Sequence, residues 1–186
     1  MSRKKSASTD LGTTENEGLI LSLVVRQQPV TAYQLYRILV ESPTKAINAS
    51  KGQLYPAIRR LEARGMIKRK EVSGDRRQSE HLFATDLGRE AVRNWVQSID
   101  LSHIVLDDPL RTRVLAFESL TQAEQVAWVI RAKALVKAKH EELDRFNDTV
   151  KVPFQRYAYM TAKESLRVKM SSLDELLYEL TGTVVD

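Results

Sequence analysis

The sequence lacks cysteine and has only three histidines. Without cysteine, disulfides, zinc–thiolate sites and thiol redox sensing are excluded. No apolar run approaches the roughly 20 residues that a membrane-spanning helix needs. The basic start at Met1–Lys5 is not followed by the apolar core of a signal peptide. We therefore expect a cytoplasmic protein that has no membrane partner.

Motifs of common enzyme classes are also missing. His140-Glu141-Glu142 lacks the second histidine that a zinc-binding helix needs. There is no Gly-x-Ser-x-Gly elbow and no glycine-rich phosphate loop before a lysine. Glu164 and Glu175 are too scattered to form a catalytic carboxylate pair. We predict that the protein is not an enzyme, and we assign it no cofactor and no metal site.

Positive charge is concentrated in one half of the chain. Residues 19–98 contain 14 Lys/Arg and 7 Asp/Glu, a net charge of +7. Residues 99–186 contain 12 Lys/Arg and 14 Asp/Glu, a net charge of −2. This asymmetry suggests a polyanion-binding domain joined to a nearly neutral partner domain. An ordinary scatter of surface charge is the alternative.

The segment 50–65 is the most informative part of the sequence. Its apolar residues have helical spacing and form one stripe: Leu54, Ile58 and Leu61, with Ala57 beside them. The opposite face is small, basic and aromatic: Gly52, Tyr55, Pro56 and Arg59, with Lys51 at its edge. Such a helix can pack on its own domain and also enter a DNA groove. Ser50 and Gln53 predict a capping box at its start, and Gly65 predicts its end.

The flanking segments predict a winged helix-turn-helix domain over residues 16–100, after a disordered arm at 1–15. Residues 18–25 predict a first helix, and Thr31 with Gln34 predicts a capping box that opens a second. Two strands, 66–73 and 80–84, would flank a turn at 74–77. Thr85 or Asp86 would cap a further helix. The fold class is therefore mainly α, with three to four helices and a two-stranded wing before an all-α region.

Residues 101–186 predict an all-α dimerisation and effector domain. Apolar residues recur at alternating steps of three and four, which is typical of helices that pack along a seam. Two such long helices exceed what a small domain needs to cover itself, so we expect a homodimer. An internal helical hairpin is the alternative. The predicted dimerisation residues are Val129, Val136, Leu143, Phe146, Tyr159, Leu166, Leu173, Leu177 and Leu180.

The chain resembles the PadR-like transcriptional regulators over nearly its whole length. The main match is the motif Ser50-x-Gly52-x-Leu54-Tyr55-Pro56-x-x-x-Arg60-Leu61-Glu62-x-x-Gly65-x-Ile67. Weaker collinear matches are Leu19–Leu23, Thr31-x-Tyr33-x-Leu35 and Thr85-Asp86-x-Gly88. The resemblance implies a dimeric repressor whose C-terminal helices bind the partner subunit. In many members a small molecule relieves DNA binding.

The candidate contacts to double-stranded DNA lie on the second helix, the 50–64 helix and the wing. They are Tyr33, Ser50, Lys51, Gln53, Tyr55, Arg59, Lys68, Arg76 and Arg77. The helix residues would reach base edges or phosphates in a major groove, and the wing arginines would enter a minor groove. Tyr55 could instead pack on the first helix, and Gln53 could be held in its cap. Arg60 and Arg64 are expected to be solvated charges on the flank of the helix.

Two tryptophans suggest a site for a small-molecule effector. Trp95 and Trp128 fall on helices of different predicted domains. They could line a cavity between those domains, where ligand sites tend to occur. Core packing is the alternative for both. The alternative function, from a different class, is a winged-helix protein-interaction module that does not bind DNA.

Overall fold

The computed structural model describes residues 11–43, 50–71, 80–104 and 108–182. The chain divides into two compact units, Met1–Ile104 and Val105–Asp186. The boundary between the units lies four residues beyond the predicted one at residue 100. Each unit has its own hydrophobic core.

In its described residues, the N-terminal unit contains four α-helices and a two-stranded antiparallel sheet. The helices are α1 (Glu15–Gln27), α2 (Ala32–Glu41), α3 (Lys51–Ala63) and α4 (Asp86–Gln97). The strands are β1 (Ile67–Glu71) and β2 (Glu80–Ala84), which pair with Ile67 opposite Ala84 and Glu71 opposite Glu80. A short 3-10 turn at Leu101–His103 follows α4. The predicted order of elements is confirmed.

The prediction of a disordered arm at 1–15 is wrong for its last five residues, and residues 1–10 lie outside the described part of the chain. Leu11 packs against the core of the N-terminal unit. Thr14 caps α1, because its hydroxyl accepts a hydrogen bond from the Glu17 amide at 3.2 Å. This capping box starts the helix at Glu15, ahead of the apolar run from which its position was predicted.

Apolar side chains from all four helices and both strands form the core of the N-terminal unit. Its largest fully buried members are Ile20, Leu21, Val24, Leu35, Leu54, Ile58, Leu61, Met66, Ile67 and Leu82. The segment before α2 joins the sheet, because the Leu82 amide donates to the Val30 carbonyl at 2.8 Å. The wing is thus fixed at its base to the same core that holds α3.

The two ends of α3 are terminated in different ways. Ser50 is the N-cap residue but makes no side-chain cap hydrogen bond, so the capping box predicted for Ser50 and Gln53 is wrong. Both side chains are exposed, and water can serve the same amides. Gly65 ends the helix as predicted, with φ at +70°. The Met66 amide donates to the Leu61 carbonyl at 2.9 Å, which turns the chain into β1.

Within the described residues of the C-terminal unit, all regular elements are helical. It contains α5 (Pro109–Val114), a 3-10 turn at Phe117–Ser119, α6 (Gln122–Thr149) and α7 (Gln155–Thr181). Asp108 caps α5 by accepting from the Leu110 amide at 3.0 Å. Burial would raise the pKa of Asp108, but the Lys169 ammonium and the Leu110 amide hold it below its ordinary value. Within the described residues, no helix is long and apolar enough to cross a membrane.

The seam between α6 and α7 contains most of the predicted dimerisation residues within one chain. Five of them are already buried inside a single chain: Val129, Val136, Leu143, Leu173 and Leu177. Leu166 and Leu180 pack against the same core, and Phe146 and Tyr159 are half-buried. The apolar stripe is therefore covered by the internal helical hairpin. Burial of apolar surface has no directional preference, so the repeat could not tell a partner in the same chain from one in another.

Candidate nucleic-acid interface

Helix α3 presents its two faces as the sequence predicts. Leu54, Ala57, Ile58 and Leu61 are buried, with at most 2% of any of them exposed. On the opposite side Lys51, Gly52, Gln53 and Arg59 are exposed, and Tyr55 is half-buried. A β-carbon added at Gly52 would meet only the Ser50 hydroxyl, at 3.8 Å. The outer face of α3 therefore carries two exposed cations, Lys51 and Arg59, and its backbone is accessible at Gly52.

Lys51 is held against the preceding helix. Its ammonium lies 5.3 Å from the centre of the Tyr36 ring, a cation–π contact between α3 and α2. Sequence reasoning missed Tyr36, because nothing in the spacing along α2 shows that the start of α3 packs beside it. An aromatic one turn beyond Tyr33 was the only available signal. The contact holds the Lys51 ammonium at the N-terminal end of α3, where most of the predicted DNA contacts of this helix lie.

Tyr33 lies in the first turn of α2 with 58% of its surface exposed. The capping box before it is present as predicted: the Thr31 hydroxyl accepts from the Gln34 amide at 3.2 Å, and the Gln34 side chain accepts from the Thr31 amide at 2.8 Å. Tyr33 also lines a shallow surface cavity together with Arg37. Tyr33 is therefore exposed but its side chain also interacts with Arg37, and the phosphate contact remains a prediction.

The wing supplies one predicted residue within the described chain. Lys68 is exposed on β1, opposite Phe83 of β2. Its neighbour Arg69 is tied to Glu62 at 3.0 Å and to Glu80 at 3.1 Å. These carboxylates raise the pKa of Arg69 despite its partial burial, which opposes them. Arg76 and Arg77 lie outside the described residues and remain predictions.

Arg60 and Arg64 do not behave as the solvated flank charges that the sequence suggested. The Arg60 Nε donates to Glu17 Oε1 at 2.7 Å, and Arg64 Nη1 donates to Glu17 Oε2 at 3.4 Å. Glu17 belongs to α1 and is only 5% exposed. Sequence reasoning missed this cluster because more than 40 residues separate the partners.

Each tryptophan packs within its own unit, as the alternative interpretation of these residues supposed. Trp95 lies against Gly18, where an added β-carbon would come within 2.5 Å of the ring, and its Nε1 donates to Glu15 at 3.1 Å. The Trp128 ring meets Phe117 edge-on, with centroids 5.0 Å apart. Trp128 also lines a cavity of about 440 Å³ in the C-terminal unit. A role for either side chain in effector binding remains a prediction.

Residues 20–94 match the family described as Transcriptional regulator PadR-like family. This span runs from within α1 almost to the end of α4 and contains the whole described part of α2, α3 and the wing strands. No curated protein sequence matches the chain significantly. The family predicted from the motif around Tyr55 is thus confirmed for the N-terminal unit.

Solved structures are similar to the chain over both units. PadR of Bacillus subtilis in complex with operator DNA has 20% identity and a TM-score of 0.75, covering 88% of this chain and 98% of that one. The PadR-like regulator BC1756 of Bacillus cereus has 19% identity and a TM-score of 0.72, covering 96% and 99%. Bacillus subtilis PadR with p-coumaric acid has 18% identity and a TM-score of 0.66, covering 94% and 98%. These similarities confirm the predicted fold class, a winged helix followed by a helical region.

Proposed function

We propose, from the premise that residues 20–94 belong to the PadR-like family of transcriptional regulators, that this protein is a DNA-binding repressor. It would act as a homodimer in the cytoplasm and have no enzymatic activity. One copy would place α3 in a major groove as its recognition helix and β1 with β2 beside the adjacent minor groove. A dimer would read two half-sites about one helical turn, or a multiple of it, apart.

The observation that carries this proposal is the outer face of α3. Lys51 and Arg59 project from a helix whose other side is fully buried, so the cations are presented on a rigid element. The absence of a side chain at the exposed Gly52 would let the backbone approach a groove wall. Exposed cations on the outer face of a helix that is anchored on its other side fit contacts to base edges and phosphates. A protein-interaction module would not need this basic face.

A selection experiment tests DNA recognition directly. The purified full chain is incubated with a random duplex library, and bound duplexes are amplified over several rounds. We expect enrichment of an inverted repeat, and binding of that repeat in a gel shift much more tightly than a shuffled duplex of equal length. Failure to enrich any sequence would favour the alternative, a winged-helix protein-interaction module that does not bind DNA.

The surface for the second copy lies outside the α6–α7 seam. An open apolar groove of about 1000 Å³ runs along α5 and α7, and its lining includes Leu115, Tyr157, Met160 and Val168. Between 49% and 80% of the surface of these four residues is exposed. Monomeric proteins rarely expose contiguous apolar patches of this kind. We place the partner subunit on this groove.

Charged substitutions in the groove should separate the subunits. Met160→Glu together with Val168→Glu puts carboxylates into the proposed interface while leaving the buried seam intact. We expect the mass measured by light scattering to fall from that of a dimer to that of a monomer. Lys137→Glu with Arg145→Glu, at exposed positions on α6, is the matched control and should remain dimeric. A double variant in the groove that keeps the wild-type mass would place the interface elsewhere.

The cavity beside Trp128 is our candidate for the effector site. Its lining combines the Trp128 ring and apolar side chains with Arg113 and Arg131. A volume of about 440 Å³ lies within the range of small-molecule sites. An aromatic ring with a carboxylate, as in the p-coumaric acid bound by the Bacillus subtilis protein, fits this combination. Such a ligand would relieve repression only through unequal affinity for the free and DNA-bound states.

Gly52→Ala should have opposite effects on folding and on DNA binding. The added methyl group would meet only the Ser50 hydroxyl oxygen, at 3.8 Å, and alanine favours a helix over glycine by up to about 1 kcal/mol. We therefore expect unchanged or raised thermal stability. Binding to the selected duplex should weaken, because the methyl group separates α3 from the groove wall. Equal affinity of Gly52→Ala and wild type in a fluorescence-anisotropy titration would show that this face does not approach DNA closely.

A further inference from the structure

Glu17 is the only charged residue that is buried among those the structure describes. It lies in the first turn of α1 with 5% of its surface exposed. A carboxylate removed from water is strongly unfavourable unless it is paired and hydrogen-bonded. Its position therefore needs an explanation beyond the capping of α1, which an exposed glutamate would serve equally well.

The partners of Glu17 come mainly from the proposed recognition helix. Arg60 binds one carboxylate oxygen at 2.7 Å, and Arg64, one turn further along α3, binds the other at 3.4 Å. Arg64 also donates a hydrogen bond to the Gly12 carbonyl. The Thr14 amide lies 3.4 Å from Glu17 Oε2. One carboxylate thus connects the start of α1 to two successive turns of α3.

These contacts restrict the rotation of α3 about its own axis, which apolar packing restricts less. Leu54, Ile58 and Leu61 hold α3 on the core, but apolar contacts are non-directional and tolerate small rotations of a helix about its axis. Charge-assisted hydrogen bonds to a guanidinium have defined geometry. Arg60 follows Arg59 by about 100° around the helix. Holding Arg60 toward α1 therefore sets the direction in which Arg59 projects.

We propose that Glu17 is a positioning residue for DNA recognition, which acts through Arg60 and Arg64 to set the rotation of α3. The two arginines then serve as anchors to α1 and do not bind phosphates. This inference rests on the proposed function, since the rotation of α3 matters only if its outer face reads DNA. Helix α1 would thus contribute to sequence specificity without contacting DNA itself.

The test compares Glu17→Gln, Arg60→Gln and the double variant on the duplex selected by the wild-type protein. Removing a negative charge would by itself strengthen attraction to DNA. The positioning role predicts the opposite for the selected duplex: about tenfold weaker binding of Glu17→Gln, within the range measured for coupled residues. Affinity for a shuffled duplex should not fall. Glu90→Gln, which removes an equal charge from the exposed Glu90–Arg93 pair on α4, is the matched control and should not weaken specific binding.

Two further readouts separate positioning from direct contact. If Glu17 and Arg60 act as a pair, the double variant should bind the selected duplex no more weakly than either single variant. If only net charge mattered, the two charge changes would cancel, and the double variant would bind with nearly wild-type affinity. The log–log dependence of affinity on salt should also keep its slope in Arg60→Gln. A lost phosphate contact would reduce that slope by about 0.9.

The inference is overturned if Glu17→Gln binds the selected duplex as tightly as wild type while circular dichroism shows it folded. It is also overturned if Arg60→Gln lowers the salt slope by the amount of a phosphate contact. Should Glu17→Gln not fold, Arg60→Gln decides, because its side chain is 55% exposed and its loss should leave the fold intact. If the wild-type chain selects no sequence, the proposed function itself fails, and this result is distinct from both others.

Discussion

Gly88→Ala is expected to destabilise the N-terminal unit by about 3 kcal/mol, the upper end for overpacking a well-filled site. A β-carbon at Gly88 would lie 2.2 Å from the Met66 carbonyl oxygen. That oxygen cannot withdraw easily, because it accepts hydrogen bonds from the Thr85 amide at 3.1 Å and the Thr85 hydroxyl at 3.2 Å. Urea unfolding followed by circular dichroism measures the loss.

Gly52→Ala is the internal control for this experiment. It makes the same chemical change in a helix of the same unit, but its β-carbon would meet only the Ser50 hydroxyl oxygen, at 3.8 Å, without a clash. The two variants should therefore shift the unfolding midpoint in opposite directions, or Gly52→Ala should leave it unchanged. A Gly88→Ala protein within about 0.5 kcal/mol of wild type, the range of neutral surface changes, would show that the α3–β1 turn moves freely relative to α4.

Lys51→Ala combined with Arg59→Ala is expected to weaken binding to the selected duplex by about 100-fold or more. Each specific contact of this type contributes roughly 1–3 kcal/mol. Both side chains are exposed and neither forms part of the buried core, so loss of the Lys51–Tyr36 contact should lower the unfolding temperature by a few degrees at most. Fluorescence anisotropy at several salt concentrations measures the affinity and the slope together.

The salt slope assigns the two cations their separate roles. A residue that binds a phosphate lowers the slope by about 0.9 when it is removed, whereas a residue that reads a base mainly lowers the preference for the selected sequence. Arg89→Ala with Arg93→Ala removes two exposed cations from α4 and is the control. Equal losses in the control and in the α3 variant would mean that net charge, and not the α3 face, governs binding.

Local sequence patterns predicted much of the N-terminal unit. The capping box at Thr31 and the stop at Gly65 are present, because each depends on a few adjacent residues. The same pattern at Ser50 and Gln53 failed, since it permits a capping box without requiring one where water reaches the helix end. The faces of α3 followed from spacing alone, as helical geometry fixes which residues share a side.

Interactions between distant residues could not be predicted in the same way. Glu17 and Arg60 are 43 residues apart, and no periodicity relates them. The Lys51–Tyr36 contact depends on how α2 and α3 pack. The apolar repeat of α6 indicated a packed seam correctly but not its partner, which is α7 of the same chain. Only the assembled fold shows which apolar residues remain exposed.

The order of the elements, the two faces of α3 and the family motif around Tyr55 could all be read from the sequence, because each is encoded in neighbouring residues. Only the tertiary structure shows which arginines of α3 are paired with a carboxylate of the same protein and which face solvent. Arg59 and Arg60 are adjacent and chemically identical, yet Arg60 is paired with a buried carboxylate and Arg59 faces solvent. That difference arises from the packing of α1 against α3, which brings Glu17 within hydrogen-bonding distance of Arg60.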